Sequence, residues 1–406
     1  ALPGTVVAGD YINTRAEGFA YVVKALGTAL GPTGYQVATA GGVLLAVIKT
    51  NGGFDPMAFG AAGDGVTDDT AILQRVIGRW AIDRNAALLI NASHLIAGTI
   101  EVENLETDNP ETRLMITGTG TLIKNNAGFM FDKVPGQGFD PPGPDPFIPL
   151  QTGHIFFDGG IQFRGDFLYD AVNGKALTFI LNGDNIIRVH FGACFGTGIA
   201  IAQADGYLQS IYLGPSCVWR KWVGYMLDCD YLFDVKMLGV CEAGDGALIT
   251  RDAAAQPACN SLEISGLIEG LSGVSGPAVK VGTCRAVEVN NLYTEANAGG
   301  DLDFSGGTGF HLSLTVTSCG FQPTTAQMAD PNYYPIKLGK GAVDSITVTG
   351  NTSTHNMFDV QDGSQSAVVS TGNGVPPGKN LFRPGSPRIV RTEGQALKGT
   401  LVPTIG

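Results

Sequence analysis

The chain has 406 residues, of which 58 are glycine; 44% are hydrophobic and only 15% are charged. A chain this apolar has ample material for a core, which excludes intrinsic disorder, and glycines without a three-residue period exclude collagen. The 25 basic and 37 acidic residues leave a net charge of −12, which argues against nucleic acid or an anionic membrane surface as partner, since both need a basic face.

In chain order, residues 1–53 are apolar and interrupted by glycine, and they read as a separate stem or neck element. No secretory signal is visible at residues 1–9, and no run of about eighteen apolar residues exists to insert into a membrane. The clearest helix follows Thr67. Thr67 or Asp68 can cap it, Asp68 and Asp69 sit in its positive first turn, and Ile72, Leu73, Val76, Ile77 and Trp80 share one face. A Pro/Gly-rich segment at residues 135–146 cannot join a regular ladder and reads as an exposed loop.

From about residue 154 the chain repeats itself. Short strand patterns such as those beginning at Phe233, Leu262 and Val287 recur about every 25 residues, and a second short strand follows most of them. That period, without helices inside the units, predicts an all-β solenoid in which each coil buries one face of its strands: a right-handed parallel β-helix over residues 54–365. The helix near residues 68–80 is the natural N-terminal cap. The Pro/Gly-rich tail over 366–406 has no repeat and reads as an end cap or trimer-contact segment. The seven cysteines (Cys194, Cys217, Cys229, Cys241, Cys259, Cys284 and Cys319) form no CxxC pair and are expected to be reduced core residues. His94, His154, His190, His311 and His355 share no ligand spacing, so neither a metal nor another cofactor is expected.

The segment from Phe59 to Ile72 (Phe-Gly-Ala-Ala-Gly-Asp-Gly-Val-Thr-Asp-Asp-Thr-Ala-Ile) resembles the opening motif of the pectate-lyase-like β-helix superfamily, a motif frequent in bacteriophage tailspike depolymerases. Gly60, Gly63 and Gly65 permit a tight turn that Asp64 can close. The motif itself is structural. The resemblance implies a homotrimer that acts in a virion tail, contacts other tail proteins through its N-terminus, and binds and cleaves a bacterial surface polysaccharide. It leaves open a hydrolase, a lyase or fructan-converting transferase, and a binding-only adhesin. The polygalacturonase pattern of the superfamily is absent, since this chain has neither an Asn-Thr-Asp nor a Gly-His-Gly.

Three glutamates follow the same strand of consecutive repeats: Glu242, Glu269 and Glu295, at intervals of 27 and 26 residues. One coil apart, they are expected to stack in one column that ends at Cys319-Gly320. Neighbouring strands are ~4.8 Å apart. An adjacent pair would then approach the ~5–5.5 Å of a retaining glycosidase, and Glu242 with Glu295, at ~9.6 Å, the upper end of the inverting range. Such a pair can protonate a leaving oxygen and activate water or attack. The same residues also fit a solvated polar ladder. Asp245, with Asp228 and Asp230 upstream, forms a competing acidic cluster. Trp219, Trp222 and Tyr293 are candidate sugar platforms, and Asp230 and Arg251 candidate polar contacts to substrate. Arg220 and Lys221 also fit an acidic saccharide.

Overall fold

A computed structural model describes residues 6–26, 36–40, 42–81, 83, 85–102, 113–133, 154–170, 175–183, 188–250, 259–272, 276–282, 284–305, 311–338, 343–360, 367–384 and 389–393. The Pro/Gly-rich segment at 135–146 and Arg251 lie outside them. The chain divides into two compact units, the first holding residues 1–166, 178–182 and 186–195, the second 167–177, 183–185 and 196–406.

The first unit opens with a four-stranded antiparallel sheet built from Tyr11–Asn13, Ala20–Leu26, Val43–Ile48 and Val37–Ala38. Parallel ladders follow. Gly53–Phe54, Ala87–Leu89, Arg113–Thr117, His154–Asp158 and Arg188–Phe191 pair in succession. So do Asp64–Asp68, Ser93–Leu95, Thr121–Lys124 and Ile161–Gly165, and likewise Ile100–Val102, Gly128–Lys133 and Thr178–Asn182. Pairing of each strand with its counterpart one coil later, always parallel, is the arrangement of a parallel β-helix.

The opening motif works as a set of carboxylate-pinned turns. Asp64 accepts from the backbone N–H of Val66 and Thr67 at 2.8 and 2.7 Å, which lowers its pKa. The helix α1 runs over Thr70–Trp80 and buries Leu73, Val76, Ile77 and Trp80. It starts later than the sequence indicates, because Asp64–Asp68 is a strand. Asp69 is the N-cap residue, yet its carboxylate does not cap the helix. It accepts from Ala62 and Gly63 N–H at 2.8 and 3.1 Å and meets buried His94 Nδ1 at 2.8 Å. A buried carboxylate is stable only when so satisfied.

The second unit has three parallel ladders. One runs from Val218–Arg220 through Val240–Glu242, residues 266–269 and 292–295, to Gly320–Gln322. Another links residues 225–229, Gly246–Thr250, Val279–Val281, Leu302–Phe304, Ile336–Leu338 and Phe358–Val360. The third links residues 231–237, 259–264, 286–290, His311–Thr317, Val343–Thr349 and Ala367–Thr371. Val240–Glu242, Val279–Val281 and Leu302–Phe304 bury alternate side chains, as the period of two requires, whereas Gly246–Thr250 and Phe358–Val360 are buried on both faces. All seven cysteines are free and buried, as expected. A short helix, α2 (Thr325–Ala329), interrupts one coil.

Corners, where no ladder satisfies the backbone, are held by buried asparagines. Asn351 Nδ2 donates to Val316 O at 2.8 Å and to Asn373 Oδ1 at 2.8 Å, and Asn373 Nδ2 donates to Val348 O at 2.8 Å. Asn297 donates to Ile268 O at 3.0 Å and accepts from Leu271 N–H at 3.1 Å. Each amide replaces a partner that a buried corner would otherwise lack.

Candidate functional site

The glutamate column lies on the first ladder of the second unit. Arg220 pairs in register with Glu242, Glu242 with Glu269, Glu269 with Glu295, and Glu295 with Gln322. One position earlier on each strand, Trp219, Cys241, Ile268, Thr294 and Phe321 point inward and are buried. The column therefore points outward, and its three glutamates are half-buried. It does not end at Cys319-Gly320. Gly320 pairs with Tyr293, so Gln322 is the residue that continues the column.

The backbone turns sharply just past the column. Lys221, Ala243, Gly270 and Ala296 have φ of 54°, 53°, 63° and 55°, all left-handed. The N–H of each donates to the carbonyl of the column residue one coil on: Lys221 to Glu242 at 3.2 Å, Ala243 to Glu269 at 3.0 Å, Gly270 to Glu295 at 2.8 Å and Ala296 to Gln322 at 2.8 Å. Four stacked corners of one shape thus hold the carboxylates at the same edge of successive coils.

The carboxylates are not equivalent. Glu242 forms an ion pair with Arg220, which removes that arginine from the set of cations available to an acidic sugar. Glu295 Oε1 accepts from Gln322 Nε2 at 3.4 Å. Among the described residues, the Glu269 side chain makes no hydrogen bond or ion pair. Strand spacing sets neighbouring Cα positions ~4.8 Å apart and Glu242 to Glu295 ~9.6 Å apart.

Two positions before the column runs a second outward row, in which Val218, Val240, Leu267 and Tyr293 pair in succession. Tyr293 is 41% exposed. Its ring lies over Gly320, where a Cβ would stand 2.9 Å from Tyr293 Cδ2, so the glycine makes room for the ring. The phenol donates to Gln322 Oε1 at 2.7 Å. Its pKa is raised by burial first, and then by the charges of Glu295 and Glu269. An apolar row ending in an exposed ring, beside a row of carboxylates, is a surface that can meet both the C–H face and the hydroxyls of a sugar.

Trp219 and Trp222 are not platforms; they are 1% and 2% exposed. In Trp219-Arg220-Lys221-Trp222 the arginine faces out, the lysine forms the corner, and the two rings turn inward, where Trp222 Nε1 donates to Gly246 O at 2.7 Å. Asp245 is 5% exposed and cannot touch a polysaccharide. It accepts from Gly224 N–H at 3.2 Å and from Ser272 Oγ at 2.6 Å, tying one corner to the next. Asp230 is half-buried on Tyr225–Met237, outside the ladder that carries the column. Arg220 and Gln322, which close the column, were accessible to sequence reasoning, because the intervals to Glu242 and Glu295 are again one coil.

No family model matches the chain, and no curated protein matches it. The fold has solved counterparts. The tailspike protein of Acinetobacter baumannii phage AM24 superposes with a TM-score of 0.64 at 17% identity, over 94% of this chain and 64% of that one. This chain therefore spans less than two thirds of that tailspike's length. Tailspike protein 2 of Escherichia coli O157:H7 bacteriophage CAB120 aligns at a TM-score of 0.41 and 13% identity, over 91% of this chain and 50% of that one. PfbA, a surface adhesin of Streptococcus pneumoniae, aligns at 0.43 and 12%, over 84% and 92%. The first of these likenesses establishes a shared β-helix fold.

Proposed function

We propose that this chain is a tailspike-type protein of a phage tail, assembled as a homotrimer, that binds a bacterial surface polysaccharide and hydrolyses its glycosidic bonds with carboxylates of the Glu242–Glu269–Glu295 column. The observation that carries this reading is the outward, in-register stacking of those glutamates beside exposed Tyr293. The general acid is Glu269, whose oxygens are free to approach a leaving oxygen. Glu242, held by Arg220, is the carboxylate that attacks the anomeric carbon, and the adjacent spacing of ~4.8 Å sits near that of retaining enzymes. Protonation of the leaving oxygen by Glu269 accompanies that attack, and water then releases the glycosyl group with Glu269 as base. Tyr293 supports a sugar ring next to the cleaved bond.

The test uses purified capsular polysaccharide and counts new reducing ends. Glu269→Gln is expected to lower kcat by about 10²- to 10⁴-fold with polysaccharide binding and Tm kept. A product that absorbs in the ultraviolet through a new double bond would assign a lyase instead. Full activity of the Gln variants at all three glutamates would remove the column from the chemistry, and binding by the wild type without any turnover would leave an adhesin.

A further inference from the structure

The first unit carries an outward face of opposite chemistry. Arg113, His154 and Arg188 pair in register on successive strands, and Met115, Phe156 and His190 form the neighbouring row. The residues between them, Leu114, Ile155 and Val189, are buried, so both rows face out. Their rings form a ladder: Phe156 stacks with His190 at 5.1 Å and with His154 at 6.1 Å between centroids. The Arg113 guanidinium lies 5.5 Å from the centre of the Phe156 ring, a cation–π contact that orients it.

Arg113 and Arg188 are exposed, and among the described residues neither guanidinium enters an ion pair. Burial, followed by Arg188 and Arg113, lowers the pKa of His154, so at neutral pH it offers a neutral ring nitrogen between two cations. Among the described residues, Asp158 is an acid on this face, and it is engaged with Ala193 N–H at 3.0 Å. In a chain with a net charge of −12, two arginines that flank His154 on an aromatic ladder are a local reversal of sign.

We propose that the Arg113–His154–Arg188 strip is a binding site for an anionic saccharide whose carboxylates recur along the chain. A guanidinium donates two parallel N–H···O bonds to a carboxylate, a geometry that lysine cannot supply. The two arginines stand two strand spacings apart, ~9.6 Å, so acids on alternate sugars of a chain engage both, and the Phe156 and Met115 edges meet the C–H surface between them. A polymer as densely charged as nucleic acid is disfavoured by the acidic remainder of the molecule. The strip belongs to the first unit and the glutamate column to the second, and binding at the strip does not require cleavage.

Affinity electrophoresis of the full chain at low ionic strength, in gels containing polygalacturonate or neutral dextran, tests it. The expected result is retardation by polygalacturonate alone, weakened at least about tenfold in Arg113→Gln/Arg188→Gln at unchanged Tm. Arg220→Gln, whose arginine is paired elsewhere, keeps wild-type retardation, and so does Glu269→Gln, which separates this site from the proposed chemistry. The single variants Arg113→Gln and Arg188→Gln serve if the double variant does not fold. No retardation of the wild type, or none lost in the variants, overturns the proposal. So does a change of oligomeric state by light scattering in place of a change in binding, which would make the strip a contact between copies.

Discussion

Asp301 is a buried acid whose surroundings set a pH dependence. It is 2% exposed, and its oxygens accept from Asn297 Nδ2 at 2.8 Å and from the Tyr333 phenol at 3.1 Å. Burial pushes its pKa up to about 6, against the hydrogen bonds from Asn297 and Tyr333 that pull it down. The folded state thus prefers the protonated form. The stability this group contributes is complete below the unfolded value of 3.8 and is lost as pH rises through about 6. A shift of that size is worth on the order of 2–3 kcal/mol. Asn fits the same partners, its oxygen accepting from Asn297 and its NH2 donating to the Tyr333 oxygen. Calorimetry on Asp301→Asn should therefore show a Tm advantage over wild type at pH 8 that disappears at pH 4. An equal difference at both pH values would mean that Asp301 keeps an ordinary pKa.

At the scale of the element, the corner after the column sets a cost that sequence patterning hides. Ala243 and Ala296 hold left-handed φ of 53° and 55°, where a Cβ crowds the following carbonyl at about 1–2 kcal/mol per residue. Gly270 occupies the same corner at φ 63°, and a Cβ there would stand 3.7 Å from Ala243 N, an ordinary contact. Its cost in this series is therefore conformational and not steric. Ala243→Gly and Ala296→Gly should each stabilise the fold by about 0.5–1 kcal/mol, once the larger unfolded-state entropy of glycine is deducted, and Gly270→Ala should destabilise it by a similar amount. Urea midpoints measure all three. Opposite signs at Ala243 and Gly270 are the expected pattern; loss of stability in Ala243→Gly would show that the methyl group has packing worth more than the strain. These corners also bear on the site, because they fix where each strand ends and so where its carboxylate stands.

At the scale of the whole molecule, what was legible in the chain is what repeats once per coil. Glu242, Glu269 and Glu295 were readable as a column because the coil length is nearly constant there and each coil contributes one residue at the same strand end. Features that depend on alternation within a strand were misread: the polar pair Arg220-Lys221 masked the inward turn of Trp219 and Trp222. The corner asparagines were silent, since nothing in composition distinguishes a buried amide from a surface one. Arg113 and His154 lie 41 residues apart, so the regular period passes them by. The buried thiols were legible as core, and they allow a prediction for the molecule as a whole. Burial raises Cys241 to about 12 and Cys319 to about 11, and Cys259 is raised by a hydrogen bond with Cys284 and by burial. All seven free cysteines are buried, out of reach of a reagent that attacks the thiolate, so at pH 8 they should resist an aromatic disulfide reagent in the native protein and react fully in guanidinium. A reductant should leave the Tm unchanged. Because each coil contacts chiefly its neighbours, the slow labelling rate of a given thiol in the native state reports the opening of its own coil. Cys259 and Cys284 stand on successive coils, so each should label at the rate of its own coil, and a fast-reacting thiol among the seven would mean that its coil is already open.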